Sequence, residues 1–379
     1  MMPTLLDIAL GMEKYYYNWN SVEISIPRPD GFIVEEEICN QLCSRWKPND
    51  KNGRYAIFLL NKKKRDHFSV IREINSKFKL SFKFIGIKDA NAITTQVVYI
   101  DLASSKSKNI PSFYSSEDGS FNLEFIGTVD RKLNHTGNHF SITLATKDDE
   151  EIENRLNEIA RNPFLPNFVG YQRFGSRRPV SHVIGRYLLR REWEKAFIWI
   201  LGMPFIHEYE RNREIREGIM NGNGVTINEI PSSMFYEKAL FKNFLNTNSF
   251  YEALRMTPLP IEIYVDAFQS YIFNKYLSRT FENIRDVNYE ITLPTYFSGC
   301  DDICKEIYIE EGIDKGFLSE IFGVKVREIR RRAFMRVSNL SSYRNKEKGK
   351  ITVNFSLPRG SYATIFLREI SHFNPLLFT

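Results

Sequence analysis

The feature that most constrains this chain is a change of hydrophobic period along its length. Up to about residue 145, six short segments alternate apolar and polar residues or cluster β-branched and aromatic ones: 22–26, 32–36, 55–60, 95–101, 121–125 and 139–144. A period of two predicts strands. Between them, residues 66–78 and 150–160 carry apolar residues at helical spacing, with Asp66 placed to cap the first helix. From about 177 to 322 the helical period governs, over 183–201, 205–220, 234–245 and 261–280, with Pro258 and Pro260 breaking the chain before the last. Strand pattern returns at 351–357, and Pro358-Arg359-Gly360 turns it into a short helix over 361–370. A sheet that starts and finishes around a helical middle predicts an α+β chain with one domain inserted into another. A length of 379 residues suits two domains better than one.

Composition excludes several classes. Apolar residues are 42% of the chain and charged residues 26%, enough for a sizeable core without disulfides or metals. No apolar run approaches the roughly eighteen residues of a membrane span. The N-terminal MMPTLLDIALGM has no basic stretch before its apolar residues, so it does not read as a secretory signal. The expectation is a soluble, cytoplasmic protein with no membrane partner. Cys39 and Cys43, like Cys300 and Cys304, are spaced C-x3-C with no histidine nearby. Structural zinc sites favour other spacings, so all four are expected to be ordinary buried or half-buried thiols.

The histidines are His67, His135, His139, His182, His207 and His372. Only His135 and His139 have ligand-like spacing, and these two are expected on the surface. Phosphate-cradling glycine loops, a nucleophile elbow and an H-E-x-x-H helix are all missing from the sequence. Neither metal nor organic cofactor is implied. An enzyme of this composition would rely on carboxylates.

The net charge is only +6, but it is unevenly spread. Residues 325–350 hold ten basic side chains (Lys325, Arg327, Arg330, Arg331, Arg332, Arg336, Arg344, Lys346, Lys348 and Lys350) against Glu328 and Glu347. A second cluster, Lys62-Lys63-Lys64-Arg65, is placed just beyond a strand. A third comprises Arg173, Arg177, Arg178, Arg186, Arg190 and Arg191. Any one of these alone would read as a solvated face; three, with 14% aromatic residues between them, point to nucleic acid.

One carboxylate stands apart. In Gly86-Ile87-Lys88-Asp89-Ala90-Asn91-Ala92-Ile93-Thr94-Thr95-Gln96, a small polar loop carries Asp89 between two apolar strands. This segment resembles the G-x-K-D-x-x-A-x-T-x-Q signature of the TruD family of tRNA pseudouridine synthases. Gly137-Asn138-His139-Phe140 is similar to the family's G-N-x-F strand, and the segment from Pro166 to Gly175 to its P-N-Y-F-G-x-Q-R-F-G motif. The segment Phe355-Ser356-Leu357-Pro358-Arg359-Gly360-Ser361-Tyr362-Ala363-Thr364, with Leu367-Arg368-Glu369, resembles the family's C-terminal motif. Residues 267–274 are close to another family helix. The order of motifs is kept from about residue 22 to 370.

The resemblance implies a mixed, mainly antiparallel sheet of pseudouridine-synthase type over 1–175 and 336–379, interrupted by a mostly helical TRUD insertion domain over 176–335. It implies tRNA as partner, no cofactor and no obligate protein partner. The expected reaction detaches uracil from its ribose, rotates it and rejoins it through carbon 5, with the base drawn out of its stack. Asp89 would be the catalytic aspartate and Phe140 the ring against which the base packs. Asn138, Lys88, Arg28, Gln172 and Arg173 would contact substrate.

The resemblance implies uridine 13 of tRNA as the default target. Position 35 of a tyrosine tRNA, or an RNA-binding protein without catalysis, remain open alternatives. The family's N-terminal K-x-R-x-x-D-F reads here Ile26-Pro27-Arg28-Pro29-Asp30-Gly31-Phe32, so its lysine and aspartate are Ile26 and Gly31. Arg28, two residues from the vacant lysine position, is therefore expected to be the cation beside Asp89, with Lys88 as the other candidate and a tRNA phosphate contact as the alternative role for Arg28.

Overall fold

The computed structural model describes all residues except 49, 51, 52, 106–109, 176, 223 and 348. Lys348, one of the ten basic residues of the 325–350 cluster, lies outside the described residues. The chain divides into two compact units. A sheet unit comprises Trp19–Leu165 and Met335–Phe378; a helical unit comprises Met1–Asn18, Pro166–Phe334 and Thr379.

The sheet unit is built on ten strands: β1 (Phe32–Ile38), β2 (Gln41–Leu42), β3 (Tyr55–Lys63), β4 (Lys83–Phe84), β5 (Ile93–Asp101), β6 (Phe113–Ser115), β7 (Phe121–Val129), β8 (His135–Ala145), β9 (Ser338–Arg344) and β10 (Lys350–Pro358). Their order is β9-β10-β8-β1-β5-β3-β7-β6, with β2 on β1 and β4 on β5. Only β1 and β5 run parallel; the other pairs described are antiparallel.

β3 reads as a near-continuous apolar run because both its faces are covered. Ala56, Phe58 and Leu60 pack with Val98, Ile100, Phe121 and Leu123 under the His67–Phe78 helix, which presents Val70, Ile71 and Ile74. Each of the valine, leucine, isoleucine and phenylalanine side chains among these contributes roughly 1.5–3 kcal/mol by leaving water. Ile57 and Leu59 turn the other way, toward Ile38, Cys43, Val97 and Val129. The helix starts where the Asp66 side chain accepts from the Ser69 N–H at 2.8 Å.

In the helical unit the Ile261–Thr280 helix is central. The Ser181–Leu189 helix lies so close to it that a Cβ on Gly185 would sit 2.0 Å from the Tyr264 carbonyl oxygen. Only glycine permits that approach.

Several expectations change. Residues 1–18 and 166–175, expected with the sheet, pack in the helical unit. Buried polar groups hold them there: Asp7 accepts from Tyr171 Oη at 2.5 Å, and buried Asn274 donates to the carbonyls of Leu10 and Val169 while accepting from Val169 N–H. Residues 22–26 alternate in burial as predicted but form a single bridge, Ser25 to Ala145, since Pro27 and Pro29 bring no N–H to extend a ladder.

The helix predicted over 183–201 is two, Ser181–Leu189 and Trp193–Leu201, with Arg191 at φ 57° between them. β3 continues through Lys62 and Lys63, so the second basic cluster is not wholly solvated; Lys62 is 2% exposed. His135 is buried rather than superficial. Cys300 and Cys304 are disulfide-bonded, while Cys39 and Cys43 are free. The third basic cluster is not one open face either. Arg178 donates to the carbonyls of Trp199, Gly202 and Met203, capping the end of a helix, and burial with the Arg216 charge holds its pKa down at about 10.

Candidate active site

The β1–β5 parallel register, Val34 opposite Thr94, brings the loop that precedes β5 to the middle of the sheet. That loop carries Lys88 and Asp89, and the two side chains have separate partners.

Asp89 is partly open, its side chain 29% exposed, and Arg28 Nη1 lies 4.0 Å from its Oδ2. Arg28 is held on several sides. It donates to the Asn91 carbonyl at 3.0 Å and to the Phe378 carbonyl at 3.2 Å, and its guanidinium carbon sits 4.1 Å over the Phe32 ring. Burial lowers the Arg28 pKa and the Asp89 charge opposes the shift; an arginine stays charged regardless. From the other side Lys62 Nζ donates to the Asp89 backbone carbonyl at 2.6 Å and to the Arg65 carbonyl at 3.2 Å. Burial pulls the Lys62 pKa down to about 8, with Asp89 and Asp66 opposing and Lys88 reinforcing.

Lys88 is buried. Its Nζ lies 2.9 Å from Glu36 Oε1 and donates to Asn138 Oδ1 at 2.8 Å. Glu36 is fully buried and its Oε2 accepts from the Val97 N–H at 2.9 Å. Register explains the meeting, because Glu36 in β1 stands opposite Asn138 in β8. Gly86 lies alongside the pair: a Cβ there would be in ordinary contact with Lys88 Nζ at 3.4 Å and Glu36 Oε1 at 3.5 Å. His135 adjoins this group, its pKa lowered by burial, raised by Glu36 and lowered again by Lys88 and Arg359.

Phe140 is 7% exposed and stacks on Phe355, with centroids 5.2 Å apart and planes at 23°, while the Phe32 ring meets it edge-on at 6.2 Å. Phe355 in turn packs on Phe366 at 4.1 Å. The ring is therefore fixed by neighbours on two sides.

Of the residues expected at the site, Arg28, Lys88, Asp89, Asn138 and Phe140 all belong to the sheet unit, and the contacts above join Arg28 to Asp89 and Lys88 to Asn138. Gln172 and Arg173 belong to the helical unit, on the short turn Tyr171–Phe174, where Gln172 is exposed and Arg173 lies 3.6 Å from Asp266. Lys88, expected to touch substrate, is engaged by Glu36 and Asn138. Where the family has lysine, Ile26 is buried; where it has aspartate, a Cβ on Gly31 would meet Pro27 Cγ at 2.8 Å.

Glu36 and Lys62 were not among the expected site residues. Both had a signal, since each falls on the inward parity of its strand: Glu36 after Phe32 and Val34, Lys62 after Phe58 and Leu60. Chemically, the arrangement holds a reachable carboxylate on a loop gripped at its backbone and faced by a fixed guanidinium. Such a group can act as nucleophile or base.

The family model described as tRNA pseudouridine synthase D (TruD) matches residues 9–293 and 294–370. The chain is 48% identical over 386 residues to a Saccharolobus solfataricus protein named "Probable tRNA pseudouridine synthase D", covering all of both chains. A Sulfurisphaera tokodaii protein of the same name is 41% identical, over 98% of this chain and all of that one. A crystal structure of a Methanosarcina mazei protein superposes with a TM-score of 0.76 over the full length of both chains at 22% identity. That likeness concerns the fold.

Proposed function

The chain belongs to the TruD family of tRNA pseudouridine synthases, and from that premise we propose that it isomerises a uridine of tRNA, at position 13, to pseudouridine with Asp89 as the catalytic group. The bond from ribose carbon 1′ to N1 breaks, the uracil turns over, and carbon 1′ bonds to carbon 5. Carbon 5 loses a proton and N1 gains one, so nothing is added overall. Attack on carbon 1′ and removal of the 2′ proton both need the carboxylate as an anion.

The observation that carries the reading is the Arg28 guanidinium 4.0 Å from the Asp89 carboxylate, inside the family's signature loop. It supplies a cation although Ile26 stands where the family has lysine. Phe140, braced by Phe355 and Phe32, offers the ring for the extruded base, and the Lys88–Glu36–Asn138 group positions the loop from beneath. Gln172 and Arg173 are proposed to contact the tRNA from the helical unit.

The test is incubation with unmodified tRNA followed by chemical mapping of pseudouridine. Product at position 13 is expected; product at position 35 of tyrosine tRNA would replace the proposed target, and none at all would leave an RNA-binding protein. The Asp89→Asn chain should bind tRNA and form no product. Turnover within a few-fold of the parent would remove Asp89 from its role.

A further inference from the structure

Outside the Asp89 cluster, the sheet unit has a pocket of about 260 Å³ beside β4. Its floor is aromatic and aliphatic: Tyr55 and Ile57 of β3 and Tyr99 of β5, the two tyrosine rings meeting edge-on at 5.8 Å. Pairing puts the three on one face, because Ile57 stands opposite Tyr99 and Tyr55 lies two residues along. Arg131, Lys132 and Arg359 also line it, all three exposed, and none makes an ion pair among the described residues. The nearby Asp130 carboxylate accepts from the Arg54 backbone N–H.

An apolar cavity of about 150 Å³ accepts benzene, so this volume admits a nucleobase. Unpaired cations at the rim of an aromatic floor match the two faces of a nucleotide, phosphate outside and base within.

The pocket lies close to the Asp89 loop along the chain. Ile85 lines the pocket, and four residues on is Asp89, a reach of at most about 14 Å even if extended. Gly86 between them abuts Glu36 and His135, and Arg359 of the pocket acts electrostatically on that same His135.

We propose that this pocket binds a nucleotide of the substrate RNA that neighbours the target uridine, its base against Tyr99 and Tyr55 and its phosphates on Lys132, Arg359 and Arg131. The inference rests on the reading of the chain as a tRNA-modifying enzyme and adds a second contact point beside the reacting base. The pocket sets which sequences flanking the target are accepted, since base and phosphate must both fit.

Two measurements on the full chain test it. Lys132→Ala combined with Arg359→Ala changes only exposed side chains without ion-pair partners, so the melting temperature should hold. Binding of unmodified tRNA should weaken about tenfold at low salt, and the slope of log affinity against log salt should fall by about two. Second, tRNA carrying 5-bromouridine, irradiated with the parent chain, should form adducts on the peptides that contain Tyr99 or Tyr55. An unchanged salt slope, or adducts confined to other peptides, overturns the subsite. A parent chain that forms no pseudouridine would overturn the function instead; the slope and the adducts are read from binding alone and still decide the pocket.

Discussion

Arg28 donates to two acceptors, the carbonyls of Asn91 and Phe378, and its guanidinium also lies 4.0 Å from the Asp89 carboxylate. A planar guanidinium with five donors holds this geometry rigidly, whereas a lysine ammonium on a flexible stem of different reach would not reproduce it. Arg28→Ala should therefore cut turnover at saturating tRNA by tenfold or more, equivalent to at least about 1.4 kcal/mol, with Arg28→Lys recovering little. Rapid-quench turnover beside equilibrium binding checks it: weaker binding with unchanged turnover would make Arg28 a phosphate contact. Glu36 is a different case, a carboxylate with no exposure whose charge is matched by Lys88. Glu36→Gln keeps an oxygen for the Val97 N–H but leaves the Lys88 ammonium without its counter-charge. Breaking a buried pair from one side costs about 3–5 kcal/mol, and removing both charges costs less. Denaturant unfolding of Glu36→Gln, Lys88→Met and the double variant should show the double more stable than Glu36→Gln. A near-zero cost for Glu36→Gln would mean that the pair is not buried in solution.

At the scale of the element, the end of β3 is where strand geometry divides a run of like charges. Lys62 and Lys63 are neighbours in sequence, but alternation sends Lys62 under the Asp89 loop and Lys63 outward to Asp30 at 2.6 Å. Burial holds the Lys62 pKa at about 8, against 10.5 in the unfolded chain. Between those values the unfolded chain binds more protons, so stability rises with pH across this window, and below pH 8 the full cost of the buried charge is present. The parent should gain about 2 kcal/mol from this group between pH 7.5 and 9.5, whereas Lys62→Met should lack that gain. Urea unfolding of both chains at the two pH values measures it. Parallel pH dependence would mean that Lys62 titrates in the fold much as it does in the unfolded chain.

At the scale of the molecule, the first eighteen residues serve the helical unit. Gly11, at φ +79°, brings its backbone so near the Ile261–Thr280 helix that a Cβ would lie 2.7 Å from the Tyr271 carbonyl oxygen, and Ser278 Oγ donates to the Gly11 carbonyl at 2.9 Å. Removing residues 1–18 strips the Asp7 carboxylate from Tyr171 Oη and the Leu10 carbonyl from Asn274, each loss worth about 1–3 kcal/mol at a buried site. The truncated chain should melt several degrees lower, with protection from hydrogen exchange lost first in 166–175 and 261–280. Melting at the parent's temperature would make the segment an appendage.

Local pattern was enough for much of this. The change of period separated sheet from helix, the apolar run at 55–60 marked β3 as a strand, and Asp66 marked the start of its helix. Each of these depends on residues within a turn or a strand of one another, where period and propensity act directly. Other features depend on partners far apart in sequence: Lys88 with Glu36 and Asn138, Arg28 with Phe378, Asp7 with Tyr171. Which lysine of a basic run turns inward, which arginine caps a helix rather than meeting solvent, and which unit claims the N-terminus follow from strand register and from buried polar groups finding partners. No local period encodes those pairings, because burying an unpaired polar or charged group is costly only once the surrounding elements have closed around it.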